Sequence, residues 1–126
     1  MEYEVLLKDE QSNFEEITQK KISSEKEMRM LFETINSTRM PGYDLPEVDF
    51  SSFDLFFYTP GSLSTGGHSV DVAEILRSKD KILINLTAIS PGPGDFATSV
   101  ITSPFILIKF AKTDKPVELV VRSGNQ

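Results

Sequence analysis

From Phe53 onward the chain is a succession of short runs rich in β-branched and aromatic residues, each closed by turn residues. No other feature constrains the fold as much. Phe53, Leu55 and Phe57 point one way and Asp54, Phe56 and Tyr58 the other, so this run is apolar on both faces. Further strands are expected over Ser69 to Leu76, over Lys81 to Ile89 (Ile82, Ile84 and Leu86 on one face), and over Phe105 to Ala111 (Ile106, Ile108 and Phe110 together). Val117, Leu119 and Val121 close the series. Arg77-Ser78-Lys79-Asp80 and Thr113-Asp114-Lys115-Pro116 are the turns. Short links between successive strands favour antiparallel neighbours, because parallel neighbours need long crossovers.

The chain before Phe53 reads differently. Tyr3, Val5 and Leu7 alternate as in a strand, with Leu6 breaking the pattern, and Phe14 to Ile22 reads as a second strand, charged enough to lie at an edge. Ser24 and Glu27 have the spacing of a capping box, and Met28, Leu31, Phe32 and Ile35 form one apolar helical stripe behind it. Asn36-Ser37-Thr38 and Pro41-Gly42 end that helix, and Pro41 to Ser52 reads as loop. The expected fold is α+β and mainly β: an antiparallel β-sandwich or open barrel with one amphipathic helix packed on it. The expected organisation is a single domain over residues 1–126, with a strand, strand and helix lead-in over 1–42 and an antiparallel β core over 49–121.

Composition removes several classes of function. Lys and Arg number 13 against 19 Asp and Glu, a formal net charge of −6, so a phosphate-neutralising basic stripe is missing and nucleic acid is not an expected partner. With no cysteine, disulfides, thiolate metal sites and thiol nucleophiles are excluded. No apolar run approaches the roughly 20 residues that span a bilayer, so membrane insertion is not expected. The segment Met1 to Asp9 carries no apolar leader, which reads as cytoplasmic for the chain as it stands, or periplasmic or surface if a leader precedes it.

Three loops hold most of the glycine and much of the proline: 59–68 with Leu63, Thr65, Gly66, Gly67 and His68; 90–96 with Pro91, Gly92, Pro93, Gly94 and Phe96; and 102–105 with Pro104. Turn chemistry alone explains most such clusters, but Leu63 and Phe96 are apolar residues in otherwise small and polar loops, as at a binding tip. These loop residues are the candidate partner-binding set.

Catalytic and cofactor readings fare worse. Gly66-Gly67 lacks both the Lys-Ser/Thr of a phosphate loop and the dinucleotide spacing. His68 is the sole histidine; in a strand, Ser69 and Asp71 would project away from it, so no local triad forms. Asp44, Glu47, Asp49 and Asp54 do not match a calcium loop. No enzyme activity, metal or cofactor is therefore expected. A small-ligand pocket near His68, Asp71 and Asp95 stands as a further alternative.

Taken in order, Val48-Asp49-Phe50, Gly61, Thr65-Gly66-Gly67-His68-Ser69-Val70, Pro91-Gly92-Pro93-Gly94 and Thr98 to Lys109 with Ser103-Pro104-Phe105 resemble the C-terminal domain of the PrcB-like protease stability complex family. The resemblance spans about Asp49 to Val120, and departs from the family where His68 stands in place of a common Tyr. It implies a non-catalytic, bacterial, protein-binding accessory domain whose partner belongs to a protease complex. A shorter likeness, of the Ser64 to His68 loop and the two loops after it, is to chagasin-type cysteine protease inhibitors, which implies the alternative of a loop-wedge inhibitor.

Overall fold

The computed structural model describes residues 1–92 and 99–124. Its elements in chain order are β1 (Tyr3–Asp9), β2 (Thr18–Ile22), α1 (Glu25–Ile35), a single 3₁₀ turn (Asn36–Thr38), β3 (Phe53–Thr59), β4 (Ser69–Arg77), β5 (Ile82–Ile89), β6 (Phe105–Ala111) and β7 (Val117–Ser123). They form a four-stranded sheet in the order β1-β6-β3-β2 and a three-stranded sheet in the order β4-β5-β7. The expectation of a mainly β fold with one packed helix holds, and the seven strands do not close into a barrel.

The two central strands of the larger sheet, β3 and β6, are apolar on both faces, and this forces three layers. One face presents Leu55, Phe57, Phe105 and Leu107 to the stripe Met28, Leu31, Phe32 and Ile35 of α1. The opposite face presents Phe56, Tyr58, Ile106, Ile108 and Phe110 to Val70, Ile75, Ile82, Ile84 and Leu86 of the smaller sheet. The helix starts as its spacing predicts: the Ser24 hydroxyl accepts the Glu27 N–H at 3.2 Å, and the Glu27 carboxylate accepts the Ser23 N–H at 3.2 Å.

At the front of the chain one expectation needs correction and another finds its physical cause. The second strand begins at Thr18, not Phe14. Phe14 belongs to the helix-side core, its ring centroid 5.1 Å from that of Phe57. The break at Leu6 is a bulge: β1 pairs Val5 with Ile108 and Leu7 with Leu107, leaving Leu6 as the extra residue.

The wholly antiparallel core also needs correction, because β7 runs parallel to β5, from Ile82 opposite Val117 to Ala88 opposite Ser123. Residues 112–116, short as they are, do not make a hairpin. They carry the chain from the larger sheet into the smaller one, so β7 arrives beside β5 pointing the same way. β4 and β5 join directly through Ser78 and Lys81, whereas β2 and β3, the other consecutive strands that pair, are separated by α1.

Asp54 holds that corner. Its side chain is fully buried, and its carboxylate accepts the Thr113 N–H at 3.1 Å and lies 3.4 Å from Lys21 Nζ and 3.3 Å from Lys112 Nζ. Burial pushes the carboxyl up. The Thr113 N–H, the Lys21 charge and hydrogen bonds from Ser23 and Lys112 together outweigh it, holding the group below the ordinary 3.8. A depressed folded-state pKa means the stabilisation is present above about pH 4 and is lost as pH falls through the lowered value. Asp54→Ala is expected to cost about 2–3 kcal/mol in urea unfolding at pH 7, because it leaves two lysines without their buried carboxylate. The difference from the unsubstituted protein should shrink toward pH 2.

Candidate functional site

All three glycine- and proline-rich loops begin or end at one end of the sandwich, where β3 and β5 finish and β4 and β6 begin. They share that end with residues 10–17, which cross the sheet from the edge strand β1 to the opposite edge strand β2. Of the five buried polar side chains among the described residues, Ser12, Thr59, Thr102 and Ser103 lie here, so this end is held by hydrogen bonds as much as by packing.

The crossover is anchored first. Ser12 donates its N–H to the Ser103 carbonyl at 2.8 Å, and the Ser103 N–H reaches the Glu10 carbonyl at 2.8 Å. The Ser12 hydroxyl donates to Thr59 Oγ1 at 3.3 Å, and the same Thr59 oxygen accepts the Gly61 N–H at 3.1 Å. Gly61 has φ +85°, and a Cβ there would lie 2.7 Å from the Glu15 carbonyl oxygen, so only glycine lets the first loop pass so close to the crossover.

The loops are then joined to one another. Leu63 and Thr102 exchange backbone hydrogen bonds of 2.7 and 2.9 Å, and the Thr102 hydroxyl donates to the Thr65 carbonyl at 2.8 Å, which ties the first loop to the third. His68 ties the first to the second, with Nε2 at 2.9 Å from Thr65 Oγ1 and Nδ1 at 3.1 Å from Ser90 Oγ. Gly67, at φ +85°, sits so near Pro91 that a Cβ would lie 2.9 Å from its Cγ. The described members of the sequence-derived set are therefore brought together, but they do different work. Leu63, Thr65 and His68 are half-buried and hold the loops in place, Gly66 is buried, Gly67 is exposed, and Pro91 and Gly92 are half-exposed. Pro104 is buried beneath the surface and cannot itself touch a partner, because it leads directly into β6 at Phe105. Pro93, Gly94 and Phe96 lie outside the described residues, as does Asp95.

The apolar surface of this end comes from residues that the loop reading passed over. Val100 is 47 % exposed and Ile101 68 % exposed, immediately before the Leu63–Thr102 bridge. Gln11 holds this segment by donating its side-chain N–H to the Ile101 carbonyl at 2.8 Å. The signal available in the sequence was two adjacent β-branched residues in a segment lacking strand alternation.

Among the described residues, no reacting centre assembles around His68. Its ring nitrogens are occupied by two hydroxyls, while the Asp71 carboxylate pairs with Lys8 at 3.2 Å. Asp49 caps its own turn, accepting from Ser51 and Ser52, and Asp54 is committed to its lysines, so the acidic residues around β3 do not converge either.

Residues 57–111 match the PrcB C-terminal family. The family resemblance read from the sequence is borne out over that stretch, which runs from β3 to the end of β6 and contains all three loops. Val48-Asp49-Phe50 and β7 fall outside it. No curated protein and no solved structure matches the chain.

Two substitutions test this description. Gly61→Ala is expected to cost about 2 kcal/mol or more in denaturant unfolding, since it strains the backbone and drives Glu15 away. His68→Ala should lower stability by only about 1 kcal/mol. It should also raise amide exchange in residues 62–67 while leaving exchange in β3 and β6 unchanged.

Proposed function

We propose that this is a non-catalytic, protein-binding accessory domain that docks onto a component of a protease complex through the three-loop end of its sandwich. The observation that carries the reading is the joining of Leu63 to Thr102 and of His68 to both Thr65 and Ser90. These contacts turn separate loops into one pre-ordered surface with Val100 and Ile101 exposed on it. Loops fixed before binding lose little entropy on docking, and a few apolar residues on a rigid polar rim are what an interface hot spot requires. The family match supports association with a protease complex as the setting. His68, engaged by two hydroxyls, supports a structural role over a catalytic one.

The expected outcome is that Val100→Ser/Ile101→Ser keeps the melting temperature but weakens partner binding about tenfold or more, on the order of 1–2 kcal/mol. Immobilised protein, unsubstituted and doubly substituted, would be compared for retention of protease-complex subunits from its native lysate, identified by mass spectrometry. Equal retention by both proteins, or retention of no such subunit, overturns the proposal.

A further inference from the structure

The larger sheet has four strands and the smaller three, and the mismatch is left on one side. On the other side, β1 meets β4 through the Lys8–Asp71 ion pair at 3.2 Å. Where β2 and β7 form the edges, β7 has no strand partner beyond β5 among the described residues. The ladder fixes which of its backbone groups are unused. Ile82 donates its N–H to the Pro116 carbonyl and Gly124 donates to the Ala88 carbonyl, each at 2.9 Å. In a parallel ladder each residue sends both backbone groups to the same side. Glu118, Val120 and Arg122 therefore bond to β5, and Val117, Leu119 and Val121 aim their N–H and C=O groups outward. The side chains of those same three residues lie half-buried against the inter-sheet core.

A groove runs along this seam with Phe56 and Tyr58 at its base. Its lobe toward the three-loop end, about 340 Å³, lies among Ile17, Gln19, Leu119 and Val121 and is mostly apolar. Its far lobe, about 420 Å³, is bordered by Lys20, Lys21 and Lys115 against the single carboxylate of Asp114. Lys21 is neutralised by Asp54. Lys20 makes no ion pair among the described residues, and Lys115 Nζ reaches the Ser78 carbonyl at 2.7 Å. In a chain of net charge −6, this is a local basic end to an apolar slot. The lysines on β2 also discourage strand addition at that edge, leaving β7 as the edge open to pairing.

We infer that the β2–β7 seam receives an extended segment of a partner protein, added antiparallel to β7 as a fourth strand, with apolar residues at alternate positions and carboxylates at its C-terminal end against Lys20 and Lys115. Main-chain bonds to Val117, Leu119 and Val121 supply affinity, and the alternate side chains and the acidic end supply selectivity. A second copy of this chain fits less well. Its own β7, laid antiparallel, would bring Arg122 toward the lysines. This surface is separate from the three-loop end, so it stands or falls independently of the proposed function.

The test is selection of a phage-displayed random nonapeptide library on the immobilised protein, followed by calorimetric titration of an enriched peptide. Enrichment of alternating apolar sequences with acidic C-terminal ends is expected. Leu119→Pro should weaken the peptide tenfold or more, since it removes an outward N–H while sparing the bonds to β5; Leu119→Ala, which keeps the N–H, should weaken it less. Lys20→Glu/Lys115→Glu should weaken it several-fold, and keeps the test decisive if the proline variant fails to fold. The inference is overturned by no enrichment, or by enriched peptides indifferent to both the proline and the charge variants. It is also overturned by peptides lost only with Val100→Ser/Ile101→Ser, or by sedimentation showing a dimer that buries β7.

Discussion

Strands β3 and β6 carry apolar side chains on both faces, and neither face can be left to water. Everything else in the molecule answers that constraint. Ile22, Phe14 and the stripe of α1 cover one face, and the β4-β5-β7 sheet covers the other. Burial at roughly 25 cal/mol per Å² drives both contacts, but it does not choose how the connections run. Buried polar groups do that. Asp54 turns the chain at residues 112–116, and Ser12, Thr59 and Ser103 hold the crossover against the opposite end. The apolar layers provide the stability, and these few hydrogen-bonded side chains provide the particular connectivity.

The same division of labour explains the three-loop end. A loop made only of glycine, proline and serine has nothing to bury and would remain mobile. Here the loops are tied to a crossover that is itself anchored in the sheet, and to one another through His68 and the Leu63–Thr102 bridge. His68 places a two-ended hydrogen-bonding group between two loops. The residue that looked most like a reagent in the sequence is a brace.

Local features were legible in advance. The capping box at Ser24, the stripe from Met28 to Ile35, the two-faced strand at Phe53 and the discontinuity at Leu6 are each written within a few residues, because each depends on neighbours within one or two turns of chain. What was not legible depends on partners far away in sequence. Whether residues 112–116 form a hairpin or an inter-sheet corner depends on Asp54, some sixty residues earlier. Pro104 is buried because β6 begins beneath the loops, and Ile101 is exposed because Thr102 and Ser103, not it, turn inward to meet Leu63 and Ser12. The family resemblance drew attention to loops that meet at one end of the sandwich, but could not say which residues in them face outward.

The parallel pairing of β5 with β7 has a consequence for the order in which the molecule can be built. Between those two strands the chain visits the other sheet to form β6, and β6 in turn is the partner of β1, at the very start of the chain. The smaller sheet cannot be finished before the larger one is, and the larger one cannot be finished until its first strand finds a partner more than ninety residues downstream. Neither sheet can serve as an independent folding unit. On a ribosome, β1 must wait in the open until most of the chain has emerged, and a single cooperative transition dominated by distant contacts belongs to the slow, millisecond-to-second class of folding domains.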